Sequence, residues 1–301
     1  MNTPLGHKMK QFASDFEHVL EALLSADAEP GEAVRPAELL AAMRYGALDG
    51  GKRLRPFLLM ESASLFGEPG HAIMRVGAAL ECVHCYSLIH DDLPAMDDDD
   101  LRRGRPTVHK AFDEATAILA GDSLLTLAFD VVASPKTELD AEIKIRLISD
   151  LARASGLGGM AGGQALDLQA EITPPDEAGI ILLQAMKTGA LLRFAARAGA
   201  VAMNASEADI ARLTRFGEIA GLAFQIADDL LDLTADAATM GKATGKDAAR
   251  GKGTLVSLHG ADWARHKLDA LEAEARSILQ PYRQKAAMLE ALAAFIGNRS
   301  S

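Results

Sequence analysis

The sequence predicts an all-α fold built as a single domain over residues 1–301, and three observations carry that prediction. Only nine valines occur while Ala and Leu abound, and aromatic residues make up 5%, a composition that favours helix over strand. Apolar residues recur at helical spacing in one stretch after another. Short breaks bearing Gly and Pro separate those stretches. The first helix is expected over 8–26, closed by Glu29-Pro30-Gly31, and the second over 36–47. A third, over 53–66, opens after Gly50-Gly51 and ends at Glu68-Pro69-Gly70, which starts the fourth over 70–92. Helices over 108–131, 139–155 and 158–169 follow, and Thr173-Pro174-Pro175 closes the last of these. Two long helices are then expected over 177–202 and 206–232. A Gly/Lys/Thr-rich loop from Thr239 to Thr254 precedes the last two, over 261–278 and 281–297. The segments 70–92, 177–202 and 206–232 are apolar around most of their circumference, as central helices ringed by others must be.

Composition excludes several classes. Hydrophobic residues are 49% and charged residues 24%, an ordinary globular balance. The net charge is −11, so neither a basic surface for phosphate backbones nor a nucleic-acid partner is expected. The two cysteines, Cys82 and Cys85, make no disulfide framework, which points to a reducing, cytoplasmic setting. No continuous apolar run approaches the ~18 residues of a bilayer span, so no membrane span is expected.

Two acidic clusters stand out. The first reads His90-Asp91-Asp92-Leu93-Pro94-Ala95-Met96-Asp97-Asp98-Asp99-Asp100, and the second Gln225-Ile226-Ala227-Asp228-Asp229-Leu230-Leu231-Asp232. An acidic run is ordinarily a solvated face. Here each run terminates an apolar helix, where negative charge opposes the helix dipole. Something cationic is therefore expected to compensate it. Gln225, Asp228 and Asp232 share one helical face. Asp91 and Asp97 lie about 120° out of phase on a regular helix, but Pro94 between them removes an N–H and distorts the turn. A loop there would return Asp97 toward Asp91. Two facing carboxylate clusters would form an oxygen-only site for Mg²⁺.

Cations complete the pattern. Lys52, Arg53 and Arg55 sit beside a helix N-terminus, a ready anion seat. Arg102 and Arg103 follow the first cluster, Lys187-Thr188 interrupts an apolar helix, and Lys242, Lys246 and Lys252 lie in the loop after the second. Acid for metal and base for phosphate describe a diphosphate carried with Mg²⁺, and the apolar helices leave room for its tail.

The segments GGKRLRP, HDDLPAMDDDDLRRGRPTVH, Lys187-Thr188, FQIADDLLD and MGKATGKD resemble, in order, those of the trans-prenyltransferases, or polyprenyl diphosphate synthases, over roughly residues 40–260. The resemblance implies an isoprenoid-synthase helical bundle around a central apolar cavity, working as a homodimer. It implies an enzyme that joins isopentenyl diphosphate to dimethylallyl or geranyl diphosphate and releases diphosphate. Asp91, Asp97, Asp228 and Asp232 would hold Mg²⁺, three ions per site with Mn²⁺ able to substitute, and Asp92 and Asp229 would assist. Arg102, Lys187, Thr188, Gln225, Lys242 and Lys252 would hold the allylic diphosphate; Lys52, Arg55, His84 and Arg103 would hold isopentenyl diphosphate. An aromatic at Tyr86, beside Ser87 one turn before Asp91, resembles bacterial-type enzymes that make the C15 farnesyl product, with Tyr86 as pocket floor; a C20 or C10 product is the alternative.

The reaction needs its leaving charge stabilised and water kept out, so the loop at 239–254 is a candidate lid. No dedicated protein base is evident, which leaves the released diphosphate to take the proton. Phe224 offers either cation–π stabilisation or core packing, and Tyr86 and His84 likewise have core readings. Cys82 and Cys85 read as buried thiols and Trp263 as packing, while Asp122 and Asp167 read either as partners of site residues or, preferably, as helix-to-helix hydrogen-bonding groups. A metal-dependent phosphohydrolase would use His90-Asp91, with His84 and His109 the only nearby histidines, and would leave the second cluster unexplained. A terpene cyclase would not need Lys52 and Arg55, and a non-catalytic partner subunit would have lost part of a cluster.

Overall fold

A computed structural model describes residues 3–48, 50–239 and 253–298. It is all-α; the only strands among the described residues are two short ones. Two compact units are distinguished, one of Met1–Met60 with Glu68–Ile148 and one of Glu61–Gly67 with Ser149–Ser301.

In the first unit, α1 (Pro4–Leu23) starts where the Thr3 hydroxyl accepts from the Gly6 N–H at 3.2 Å. It is followed by α2 (Ala37–Ala47) and α3 (Leu54–Ser64, whose last residues fall in the second unit). Next come α4 (His71–Asp91) and the ribbon β1 (Leu101–Arg102) with β2 (Arg105–Pro106). A single turn α5 (Val108–Ala111) then leads into α6 (Glu114–Ala133). The helix expected over 108–131 is in fact two, because Asp113 breaks it. Its carboxylate accepts from the Thr116 N–H at 2.8 Å and so caps a new helix. α4 packs along α6 and is buried along most of its length, including Val76, Leu80, Cys82, Val83 and Ile89. Gly77 admits the core: a Cβ there would lie 3.2 Å from Pro56 Cβ and 3.4 Å from the Phe16 ring.

The helix α7 (Ala141–Ser155) begins in the first unit and ends in the second, which then holds α8 (Met160–Ile172) and α9 (Glu177–Gln184). A π-helical segment Ala185–Gly189 leads into α10 (Ala190–Ala202) and α11 (Glu207–Thr239). Beyond these lie α12 (Leu255–His259), α13 (Ala261–Leu279), a 3₁₀ segment (Gln280–Ala286) and α14 (Ala287–Gly297). α10 and α11 touch closely at Gly217, where a Cβ would lie 2.6 Å from the Arg193 Cα. The sequence reading missed α12, whose capping box pairs Thr254 with Ser257.

By length and composition three helices reach the apolarity of a bilayer span: His71–Asp91, Glu114–Ala133 and Glu177–Ala202. This corrects the expectation that no segment does. Counting uninterrupted apolar runs overlooked windows broken by one or two charges. In His71–Asp91, 72% of the window is buried within protein, and a central helix needs the same apolarity as a spanning one.

Candidate active site

The first unit carries the first acidic cluster and the cations expected with it. α4 ends at Asp91, and the chain turns through Leu93 and Pro94. The Asp97 N–H then donates to the Asp91 carbonyl at 2.8 Å, and the Asp99 N–H to the Asp92 carbonyl at 3.2 Å. The loop predicted from Pro94 thus returns Asp97 to Asp91. Both residues are half-buried.

Asp92 takes a different part from its neighbour. It is buried, and its carboxylate accepts from Arg102 Nε at 2.8 and 3.0 Å and from Nη2 at 2.6 Å. Burial pushes the Asp92 carboxyl up, and the Arg102 guanidinium pulls it back. The ribbon β1–β2 places Arg102 there. Its tight turn carries Arg103 at φ 53° and Gly104 at φ 76°, the two positive values such hairpins need. Thr107 closes the loop, its hydroxyl donating to the Asp99 carbonyl at 2.8 Å.

The cations expected to hold isopentenyl diphosphate lie in this unit. Gly51 has φ 95°, and a Cβ there would lie 2.9 Å from Arg103 Nη1, so the glycine lets the Arg103 guanidinium rest on the backbone just before Lys52. Arg55 Nη1 lies 3.2 Å from His84 Nε2. Since a guanidinium only donates, Nε2 accepts and the imidazole proton sits on Nδ1. Burial first, then the charges of Arg55, Arg103, Arg102 and Arg53, hold the His84 pKa well below its ordinary value, so the ring is neutral. Lys52 is exposed.

Arg53, one of the three cations expected to form an anion seat, is turned to another use. It is buried, and donates to Glu81 at 2.9 Å, Glu17 at 2.8 Å and the Ala47 carbonyl at 2.7 Å. It is a structural arginine.

Tyr86 is half-buried and stacks edge to face on His90. Burial, then the Asp91 charge, raises its pKa, which places the phenol near the acidic end of α4. The Ser87 hydroxyl donates back to the His84 carbonyl at 2.9 Å, so it serves its own helix.

The second unit carries the other described residues of the expected site. Lys187 and Thr188 lie in the π segment, where the extra residue per turn shifts the side chains that follow. Lys187 Nζ donates to Asp167 Oδ2 at 2.7 Å. Two glycines let other helices close on this segment. A Cβ at Gly163 would lie 2.6 Å from Lys187 Cα, and one at Gly221 would lie 2.8 Å from Gly189 Cα. On α11, Gln225, Asp228 and Asp229 are half-buried and Asp232 is exposed. Asp229 Oδ2 accepts from Gln184 Nε2 at 3.1 Å. α11 runs on to Thr239, so Asp228–Asp232 are not at its end. Asp228–Asp232 therefore do not oppose the dipole at a helix end, whereas Asp91 does. Lys242, Lys246 and Lys252, and most of the expected lid, lie outside the described residues.

Sequence reasoning missed Gln184, and left open for Asp167 the two readings between which its bond to Lys187 now chooses. The signal was a polar residue inside an otherwise apolar helix, one turn from a site residue. Gln164, also on α8, is buried with neither amide atom partnered by protein. Among the described residues no group of three or more His, Cys, Asp or Glu is gathered as a metal cage. The donors present are carboxylate oxygens in pairs, which suit Mg²⁺, an ion that binds through one or two carboxylates and completes its shell with water and phosphate.

A family profile described as Polyprenyl synthetase matches residues 36–295. The chain is 48% identical over 263 residues to the farnesyl diphosphate synthase of Escherichia coli, covering 86% of this chain and 88% of that one. It is 42% identical over 274 residues to the farnesyl diphosphate synthase of Bacillus subtilis, with 91% and 92% covered. Among solved structures, an FPP/GFPP synthase from Zymomonas mobilis superposes with a TM-score of 0.87 at 42% identity, covering 99% of this chain and 100% of that one. A geranyltransferase from Legionella pneumophila gives 0.84 at 34% identity, covering 98% of each.

Proposed function

Because this chain belongs to the polyprenyl synthetase family, we propose that Asp91, Asp97, Asp228 and Asp232 hold Mg²⁺ and that the cations around them hold two diphosphates. Its reaction is chain elongation by prenyl transfer. Isopentenyl diphosphate adds to dimethylallyl diphosphate to give the C10 geranyl diphosphate and then to that product, one diphosphate leaving at each addition, and the final product is the C15 farnesyl diphosphate. The observation that best supports the metal reading is the return of Asp97 to the Asp91 carbonyl at 2.8 Å, since it gathers two oxygen donors at one helix end.

The residues divide the work. Lys187, Thr188, Gln225 and Arg102, with Lys242 and Lys252, bind the allylic diphosphate. Asp167 holds the Lys187 ammonium on α8, and Asp92 holds the Arg102 guanidinium beside Asp91, so these carboxylates act by positioning cations. Asp229, held by Gln184, assists on α11. Lys52, Arg55 and Arg103 bind isopentenyl diphosphate, and neutral His84 offers its Nδ1–H to an anionic oxygen. Bound Mg²⁺, three ions with Mn²⁺ as substitute, supplies charge neutralisation for the departing diphosphate. The allylic C–O bond breaks, the isopentenyl double bond attacks the cationic carbon, and a proton is lost to the released diphosphate. Tyr86 floors the pocket and stops growth at C15.

The enzyme acts as a homodimer in this reading. Ile118 and Leu119 on α6 and Ile145 on α7 support it, exposed by 45%, 54% and 68%. The two buried free thiols suit the cytoplasm. Incubation with Mg²⁺, isopentenyl diphosphate and geranyl diphosphate, read by mass spectrometry, tests the reading. A dominant C15 diphosphate that disappears on chelation and returns with Mg²⁺ is expected. Release of phosphate or a cyclic hydrocarbon without elongation would overturn it.

A further inference from the structure

Tyr86 and His90 are one turn apart on α4 and share a face. Their rings meet edge to face, with centroids 5.7 Å apart and planes at 78°. The other side of the imidazole is fixed from α6, where Nε2 lies 3.1 Å from the Ile118 carbonyl oxygen. That oxygen only accepts, so Nε2 carries the proton. One turn further along α6, Gly121 leaves a slot for the ring. A Cβ there would overlap the imidazole. α6 therefore supplies both an acceptor and a cavity for His90, and with its ring so held, His90 presents a fixed edge to Tyr86.

We infer that His90 is a positioning residue for product length: it holds the Tyr86 ring in place, so that the depth of the pocket is set from α6 through the imidazole. This rests on the reading of Tyr86 as floor. A phenol ring turns about two side-chain bonds. Without the imidazole edge it samples other rotamers, and each swing deepens the space available to a growing chain. His90 itself need not touch the substrate.

The test uses the full-length enzyme with Mg²⁺, geranyl diphosphate and isopentenyl diphosphate, reading the C20:C15 product ratio with kcat and Tm alongside. His90→Gln keeps an N–H donor for Ile118 but removes the ring. If the histidine served only to tie α4 to α6, glutamine would preserve the parental ratio. If it braces Tyr86, the ratio rises by about two- to twelve-fold, the population change expected from losing one aromatic pair. Gly121→Ala displaces the imidazole from the opposite helix and should shift the ratio the same way; it decides the matter if H90Q does not fold. Tyr86→Ala calibrates the floor. A parental ratio in H90Q and G121A while Y86A makes longer products overturns this inference and leaves the floor reading intact. A Y86A enzyme that still stops at C15 overturns the floor reading and this inference with it.

Discussion

Replacing Arg53 by methionine should destabilise the protein severely although the residue sits between Lys52 and Arg55, the two cations proposed to bind isopentenyl diphosphate. Its side chain is 2% exposed and joins Glu81, itself 5% exposed, to Glu17. It also donates to the Ala47 carbonyl at 2.7 Å, and its backbone lies in the left-handed region at φ 47°. Burial disfavours the guanidinium charge, and the groups around it, Glu81 foremost and Glu17 among them, together more than reverse that. Methionine conserves much of the volume, so the change isolates the charge. It strands the Glu81 carboxylate in the core without its cation, a loss of about 3–5 kcal/mol. At about 2–4 °C per kcal/mol for a unit of this size, Tm should fall by roughly 6–20 °C in far-UV circular dichroism melts. Adding Glu81→Met to R53M should recover much of the loss, because a buried pair replaced whole by apolar groups is often near neutral. Lys52 and Arg55 flank Arg53, so KM for isopentenyl diphosphate should rise as well. An R53M protein melting within about 2 °C of the parent would refute the structural role.

Further expectations follow from the same geometry. The His84 pKa is depressed in the folded state, so the unfolded chain takes up the proton first. Its contribution to stability is full above about pH 6.5 and is lost as pH falls below that. The parent's Tm should therefore drop more steeply than that of His84→Gln between about pH 6.5 and 5, and parallel curves would contradict this. Asp167→Ala should lower kcat/KM for the allylic substrate about tenfold by freeing the Lys187 ammonium from its 2.7 Å partner, and unchanged kinetics would count against it. Gly163→Ala drives a Cβ to 2.6 Å from Lys187 Cα, so the π segment must shift. The strain is about 1–3 kcal/mol, and kcat should fall further than stability does; a normal kcat with lowered Tm would show that the segment's position is immaterial to turnover.

Much of the first half of the site was legible in local rules. Pro94 forbids continuation of α4, and the chain returns Asp97 to the helix end as that prohibition implies. Gly51 before Lys52 marks a backbone that something must approach, and Arg103 does. The second half was less legible. Asp228 and Asp232 were placed on one face of a helix, but at its end, whereas α11 continues to Thr239. Nothing in the local composition after Asp232 distinguishes a helix that stops from one that goes on. Arg53 could not be told from Lys52 or Arg55, because three adjacent cations differ only in what lies opposite each of them.

The sequence by itself determined the all-α class, the order of the helices, the two carboxylate clusters and the residue types that a diphosphate carried with Mg²⁺ would demand. Those depend on periodicity and on residues close along the chain. Only the tertiary structure decided the partners. It assigned Arg102 to Asp92, Lys187 to Asp167, Arg53 to Glu81 and His90 to the slot at Gly121. Each pairing joins residues 10, 20, 28 or 31 positions apart, numbers that carry no signal of their own. Whether a charge reaches solvent, a substrate or a buried counter-charge is fixed by the packing of whole helices against one another, and helical periodicity defines only which face each helix offers.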